Sequence, residues 1–192
     1  MMTRRPETMP ETDAVDLLIH QHQEIRRLFQ EMDDKAGAGR NETFGRLCRL
    51  LAVHETAEEE VVHPVARRSI ANGDAVIDAR LEEENEGKKM LQNLEKMGPS
   101  AQGFDALLAE FRQAVLEHAE HEEREEFPEL RTHGAAEMRV MAAAIKAAEA
   151  TAPTHPHPGV ESATANLVAG PFAAVADRAR DAVRKAMGRD NG

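Results

Sequence analysis

The chain has 192 residues, enough for one sizeable core with a small appendage. Its net charge of −11 argues against a general nucleic-acid binder, because phosphate binding needs a basic surface. Aromatics are only 3%, with no Trp or Tyr, while Ala, Leu, Glu and Arg dominate, which favours helix.

Cys48 is the single cysteine, so an intramolecular disulfide is excluded, as suits a reducing compartment. No apolar run is long enough to span a bilayer. The opening MMTRRPETMP has no apolar stretch behind its arginines, unlike a signal peptide. The expectation is a cytoplasmic protein.

Residues 1–11, with Pro6 and Pro10, read as a flexible arm, and residues 12–150 as the folded unit. Thr12 or Asp13 can cap a first helix running to about Lys35. Its stripe is Leu18, His22, Ile25, Phe29 and Met32, and Gly37 and Gly39 are expected to break it. A second helix is expected from near Asn41 towards Ile70, with stripe Leu47, Leu51, His54, Glu58, Val61 and Val65. Asn72-Gly73-Asp74 supplies a turn and cap for a third helix to about Met97, with Ile77, Leu81, Glu84, Gly87, Leu91 and Leu94 on one face. After Gly98-Pro99-Ser100 a fourth stripe reads Phe104, Leu108, Phe111, Val115, His118 and Glu122. These seams on four long helices with short loops predict an all-α, antiparallel up-down-up-down four-helix bundle.

Additional C-terminal helices are expected. An alanine-rich fifth helix covers about 135–150, a Pro/His-rich linker 151–165, and a C-terminal amphipathic-helix segment 166–192, whose helix is expected to start at Pro171 and run to Met187. Phe172, Val175, Ala176, Ala179 and Val183 line one side of this last helix and arginines the other. Its stripe is short, so a helix docked on the bundle or fraying free is favoured over contact with a membrane or a partner.

The bundle contains an internal repeat. His54-x-x-x-Glu58 and His118-x-x-x-Glu122 recur 64 residues apart, each histidine ten residues before a proline, Pro64 and Pro128. Aligning the first and third helices places His22 over Glu84. Six polar residues thus occupy seam positions that should be apolar: His22, His54, Glu58, Glu84, His118 and Glu122. Taken singly, a seam histidine is a hydrogen-bonded core residue and HxxxE is a surface ion-pair spacing. Jointly, two copies in register with a seam point elsewhere, since three buried carboxylates without a positive partner would be very costly. Three imidazoles and three carboxylates suit two first-row cations, iron or manganese. Glu58 and Glu122 are the natural bridges, with His22 and His54 capping one cation and Glu84 and His118 the other.

The pattern resembles the hemerythrin-like family, the HHE cation-binding domain, whose motif is His … HxxxE … His … HxxxE across four helices. The matching segments are LLIHQHQEIRRLF, VHETAEEEVVHP and EHAEHEEREEFP, and the resemblance covers about residues 13–150. The tail, with TAPTHPHPG and NLVAGPFAAV, is similar to that of actinobacterial members. The resemblance implies a non-haem centre of two iron ions that binds or processes oxygen, nitric oxide or peroxide. One position departs from the family: Glu84 stands where the third helix should offer His, and Lys88 where oxygen carriers have a further His. Placing the neighbouring Asn85 inward instead would break the Leu81/Leu91 stripe. Extra carboxylate favours ferric iron, which directs the expectation away from reversible oxygen carriage and towards redox chemistry or sensing. Two alternatives stay open: an enzyme with ferroxidase- or catalase-like activity, and an iron- or oxygen-responsive regulatory module. No acid, base or nucleophile outside the metal shell stands out.

Other residues carry weaker readings. His63, before Pro64 as Phe127 is before Pro128, is expected to pack at the bundle end. His121 reads as a surface or outer-shell residue, His20 and His133 as solvated, and His155 and His157 as part of a strap. Cys48 reads as inert core.

Overall fold

The computed structural model of the chain describes residues 13–133 and 135–149, which form helices and short turns without a strand. The expected arm at 1–11, Thr12, the linker at 151–165 with His155 and His157, and the helix at 166–192 lie outside the described residues.

Asp13 opens α1 (Ala14–Asp34) as its N-cap, its Oδ1 accepting from the Asp16 N–H at 2.9 Å. The helix ends at Lys35, in extended conformation. Helix α2 (Gly37–Ala57) then begins earlier than the glycines suggested. Gly37 and Gly39 sit in its first turn, and Gly37 takes the φ of +56° that lets the chain reverse after two residues.

Helix α2 does not stop at Ala57. One π-helical turn, Glu58–Val62, leads into α3 (His63–Ser69). After α4 (Gly73–Met97) comes α5 (Phe104–His121), and a second π turn, Glu122–Glu126, leads into α6 (Phe127–Leu130). Helix α7 (Ala135–Glu149) completes the described chain. Both π turns lie just before a proline. The residue preceding each proline donates its N–H five residues back, His63 to the Glu58 carbonyl and Phe127 to the Glu122 carbonyl. Proline has no N–H to continue the four-residue ladder, and the wider turn absorbs that fault without ending the helix.

The turn between α3 and α4 depends on close approach. Asn72 is left-handed at φ +56°. A Cβ on Gly73 would lie 2.4 Å from the Arg67 carbonyl oxygen, so only glycine fits there. Helix α1 packs on α2, α4 on α5 and α3 on α4, while α7 covers α1, α2 and the first π turn. The rods α1, α2–α3, α4 and α5–α6 make the four-helix bundle, with α7 as a fifth element.

The core falls into two apolar clusters. One contains Val15, Leu18, Val62, Val65, Ile77, Phe127, Leu130 and Ile145. The other contains Ile25, Phe29, Leu47, Leu51, Leu91, Leu94, Phe104 and Phe111. Cys48 is buried in the second, and burial pushes its thiol up to about 12, which makes it inert. Between the clusters the seam positions are polar.

Gly73→Ala would lower stability by about 1–3 kcal/mol, the usual cost of forcing atoms into a filled site. Thermal unfolding followed by circular dichroism reads this. An unchanged midpoint would show that the Arg67 carbonyl yields.

Candidate metal centre

The polar layer is built by four rods at one depth. His22 comes from α1, His54 from α2, Glu58 from the first π turn, Glu84 from α4, His118 from α5 and Glu122 from the second π turn. Glu58 and Glu122 are fully buried, and His22, His54 and Glu84 are at most 3% exposed. Glu84 points inward while its neighbour Asn85 is only half-buried.

Three imidazoles are held by outer acceptors. His22 Nδ1 lies 2.8 Å from Glu123 Oε1, which is also held by Arg26. His54 Nδ1 lies 2.7 Å from Gln21 Oε1, and the Gln21 amide is oriented by a bond from its nitrogen to Glu149. His118 Nδ1 lies 3.0 Å from Glu83 Oε2. With each Nδ1 engaged in this way, Nε2 is the atom that each ring presents to the middle. His22 Nε2 and His54 Nε2 face each other at 3.1 Å. Two nitrogens facing at that distance need a proton or a cation between them.

The carboxylates make the same demand. Both oxygens of Glu58, Glu84 and Glu122 are buried without a hydrogen-bond partner, as is His118 Nε2. Glu58 Oε1 is 3.3 Å from His54 Nε2, Glu122 Oε2 is 3.3 Å from His22 Nε2, and Glu122 Oε1 is 3.4 Å from His118 Nε2. Three groups of side chains could each hold a metal ion: His22, His54, Glu58 and Glu122; Glu58, Glu84 and His118; and His63, Glu122 and Glu126. Glu58 belongs to the first two and Glu122 to the first and third, so these two carboxylates link neighbouring positions.

Burial and the facing Glu122, Glu84 and Glu126 push the Glu58 carboxyl well above the ordinary range. Burial and Glu59 do the same for Glu84, with Lys88 opposing. Burial also works against Glu122, but the imidazoles of His118, His22 and His63 hold it well below the ordinary range. Burial, reinforced by His22, pushes His54 well below 6.5. Burial opposes protonation of His22 and His118 too, yet adjacent carboxylates raise both. The buried Lys88 ammonium pairs closely with Glu59 and lies 3.6 Å from Glu84 Oε2.

A small cavity of about 30 Å³ opens beside the layer. His22, His54, Glu84 and His118 form its polar wall, and Ile25, Leu51, Gly87 and Val115 its apolar wall. It can hold a water or two, or a diatomic molecule.

The model of the hemerythrin HHE cation binding domain matches residues 13–130. The chain belongs to this family. Its six HHE-type positions therefore sit in a metal-binding domain. The chain is also 28% identical over 124 residues to a DNA nickase of Nostoc sp., a match covering 64% of the chain and 35% of that protein. The chain thus spans about a third of that relative's length. No solved structure matches.

The HHE bundle also buries groups that periodicity did not flag. His63 is not simple end packing. It is 2% exposed, and its Nε2 lies 3.5 Å from Glu84 Oε1 and 3.9 Å from Glu122 Oε1. Glu126 is fully buried with both oxygens unpartnered, and Arg80 Nε is 3.9 Å away. On an α-helix, residues five apart are turned by about 140°. The π turns bring 63 back under 58 and 127 under 122. The signal for this was the paired prolines. His121, half-exposed, bonds to the Glu83 that holds His118, so it belongs to the outer shell. His20 is exposed. His133 departs from expectation, bonding Ser69 Oγ at 2.9 Å and pairing with Glu137.

A pH dependence follows for the metal-free protein. Burial pushes Glu55 up to about 7 and Glu126 to about 8, against 4.5 for the ordinary group. A carboxyl raised on folding stabilises below its unfolded value, and that stability is lost as pH rises through the folded value. His54 and His63, both lowered from 6.5, oppose this slope while the unfolded imidazoles still titrate, and add little above about pH 7.5. The raised His22 and His118 act in the same direction as the glutamates. The metal-free thermal midpoint should therefore fall from about pH 7.5 to 8.5, and added ferrous iron should raise it and flatten the slope. A midpoint rising over that window would contradict these assignments.

Proposed function

We propose that the chain is a non-haem di-iron protein that binds or processes a small ligand, oxygen, nitric oxide or peroxide, at this centre. The observation that carries the reading is the pair of facing Nε2 atoms of His22 and His54, 3.1 Å apart and fixed by Glu123 and Gln21. His22 and His54 would hold one cation, Glu84 and His118 the other, with Glu58 and Glu122 bridging; manganese is the alternative ion. When bound, such ions supply redox change and an open coordination position.

The protein's own part is to orient and to exclude. Glu123, Gln21 and Glu83 engage each Nδ1, so that Nε2 is the atom offered to a cation. The two apolar clusters keep bulk water from the layer. The cavity beside Gly87 limits access to molecules of about two heavy atoms, which supports a small ligand over an extended substrate. The carboxylate at Glu84 favours redox chemistry or sensing over reversible carriage.

DNA nicking, the activity in the name of the Nostoc relative, is not carried over. Residues 1–150 bear a net charge of −12, which supports a reading without a nucleic-acid partner. No helix among the described residues is long and apolar enough to cross a membrane, and with the lone cysteine this is consistent with a cytoplasmic protein.

Protein produced with iron should hold iron and show carboxylate-to-iron charge-transfer absorption. Colourless protein without iron would reject the reading. Gly87→Leu should leave the iron content unchanged, because a Cβ there only touches Phe111 at 3.9 Å. It should slow nitric oxide association about tenfold by filling the cavity, about 1.4 kcal/mol in the barrier. Stopped-flow absorbance measures the rate, and an unchanged rate would place ligand entry elsewhere.

A further inference from the structure

We propose that His63 is a ligand of the second cation and supplies the imidazole that α4 lacks at Glu84. The inference rests on the di-metal reading above and deepens it.

The two halves of the bundle trade residues. In one half, His22 from α1 meets the residue after the second π turn, Phe127, whose ring stacks on it at 5.6 Å and 17°. In the other half the same two positions are Glu84 and His63. Exchanging α1 with α4 and α2–α3 with α5–α6 maps His22 on Glu84 and Phe127 on His63. Each pair thus contains one imidazole, from the bundle helix in one half and from behind the π turn in the other.

His63 is placed to serve. Both its ring nitrogens are buried without a hydrogen-bond partner. Its Nε2 lies 3.5 Å from Glu84 Oε1 and 3.9 Å from Glu122 Oε1. Ligand atoms about 2.1 Å from one cation stand about 3–4 Å apart, so these separations suit a shared ion. The i−5 hydrogen bond from the His63 N–H to the Glu58 carbonyl fixes this side chain on the face that carries Glu58. Glu126, the other buried group near His63, has Arg80 Nε 3.9 Å away and forms with His63 and Glu122 a competing position, which the test separates.

The test is metal content after iron loading and desalting, with the iron absorption spectrum as a second readout. The native chain should retain two iron ions. His63→Phe, which installs the residue of the opposite half, and His63→Ala should each retain about one and show a changed spectrum. Adding free imidazole to His63→Ala should restore the second ion, and so should Glu84→His in the His63→Phe background. Far-ultraviolet circular dichroism checks that the variants fold, and imidazole rescue of His63→Ala decides the matter if His63→Phe does not. Glu126→Gln should retain two. Two ions with a native spectrum in His63→Phe and His63→Ala overturn the role of His63 and leave the di-iron reading standing. Loss of an ion in Glu126→Gln equal to that in His63→Ala overturns it in favour of a position between His63, Glu122 and Glu126. A native chain that retains no iron overturns both.

Discussion

Glu58 has a carboxylate oxygen within 4.8 Å of Glu122 on one side and of Glu84 on the other, and all three carboxylates are buried. At an effective dielectric of 20, two unit charges at that distance repel by about 3.5 kcal/mol, and desolvation adds several more per ion. Nothing in the polypeptide offsets this completely. Lys88 reaches Glu84 but is shared with Glu59 and Glu55. His22 and His118 favour the Glu122 carboxylate, but burial and the facing carboxylates still push Glu58 well above its ordinary range. The fold therefore carries a deficit of positive charge at its centre, and much of its architecture can be understood as keeping that deficit in place.

The two apolar clusters hold the layer. Without well-packed ends, four rods carrying three inward glutamates would separate and hydrate them. Phe29, Phe104 and Phe111 at one end and Leu18, Ile77 and Leu130 at the other are each at most 1% exposed. Outer-shell contacts add direction to this restraint. Glu83 joins His118 to His121, and Gln21 ties His54 to Glu149 of α7. The fifth helix is thus connected to a central imidazole through a single amide.

The seam was legible because helical periodicity is regular over α1, α4 and α5: Leu18, His22, Ile25 and Phe29 face inward as the spacing requires, and Glu84 does too. The doubled HxxxE gave the depth at which the polar layer lies. Legibility ended at the π turns. A period of 3.6 places His63 and Phe127 far from Glu58 and Glu122, whereas an i−5 closure puts them on the same face. Pro64 and Pro128 were visible as faults in the ladder, but a proline can end, kink or widen a helix, and the sequence does not choose among these. Tertiary partners such as Gln21, Glu83 and Glu123 carry no periodic signal at all.

Symmetry gives the layer its final logic. A repeat of two helix pairs would by itself produce two equal half-sites, each with the same first-helix ligand. Here the first-helix position is His22 in one half and Glu84 in the other, so the halves differ in charge. Lys88, one turn from Glu84 on α4, meets that added negative charge from the same helix. Burial works against its ammonium, but Glu55, Glu59 and Glu84 hold its pKa above the ordinary value, so it stays charged. Lys88 thus serves Glu59, Glu84 and Glu55 together, and this half is the more polar, more carboxylate-rich side of the centre.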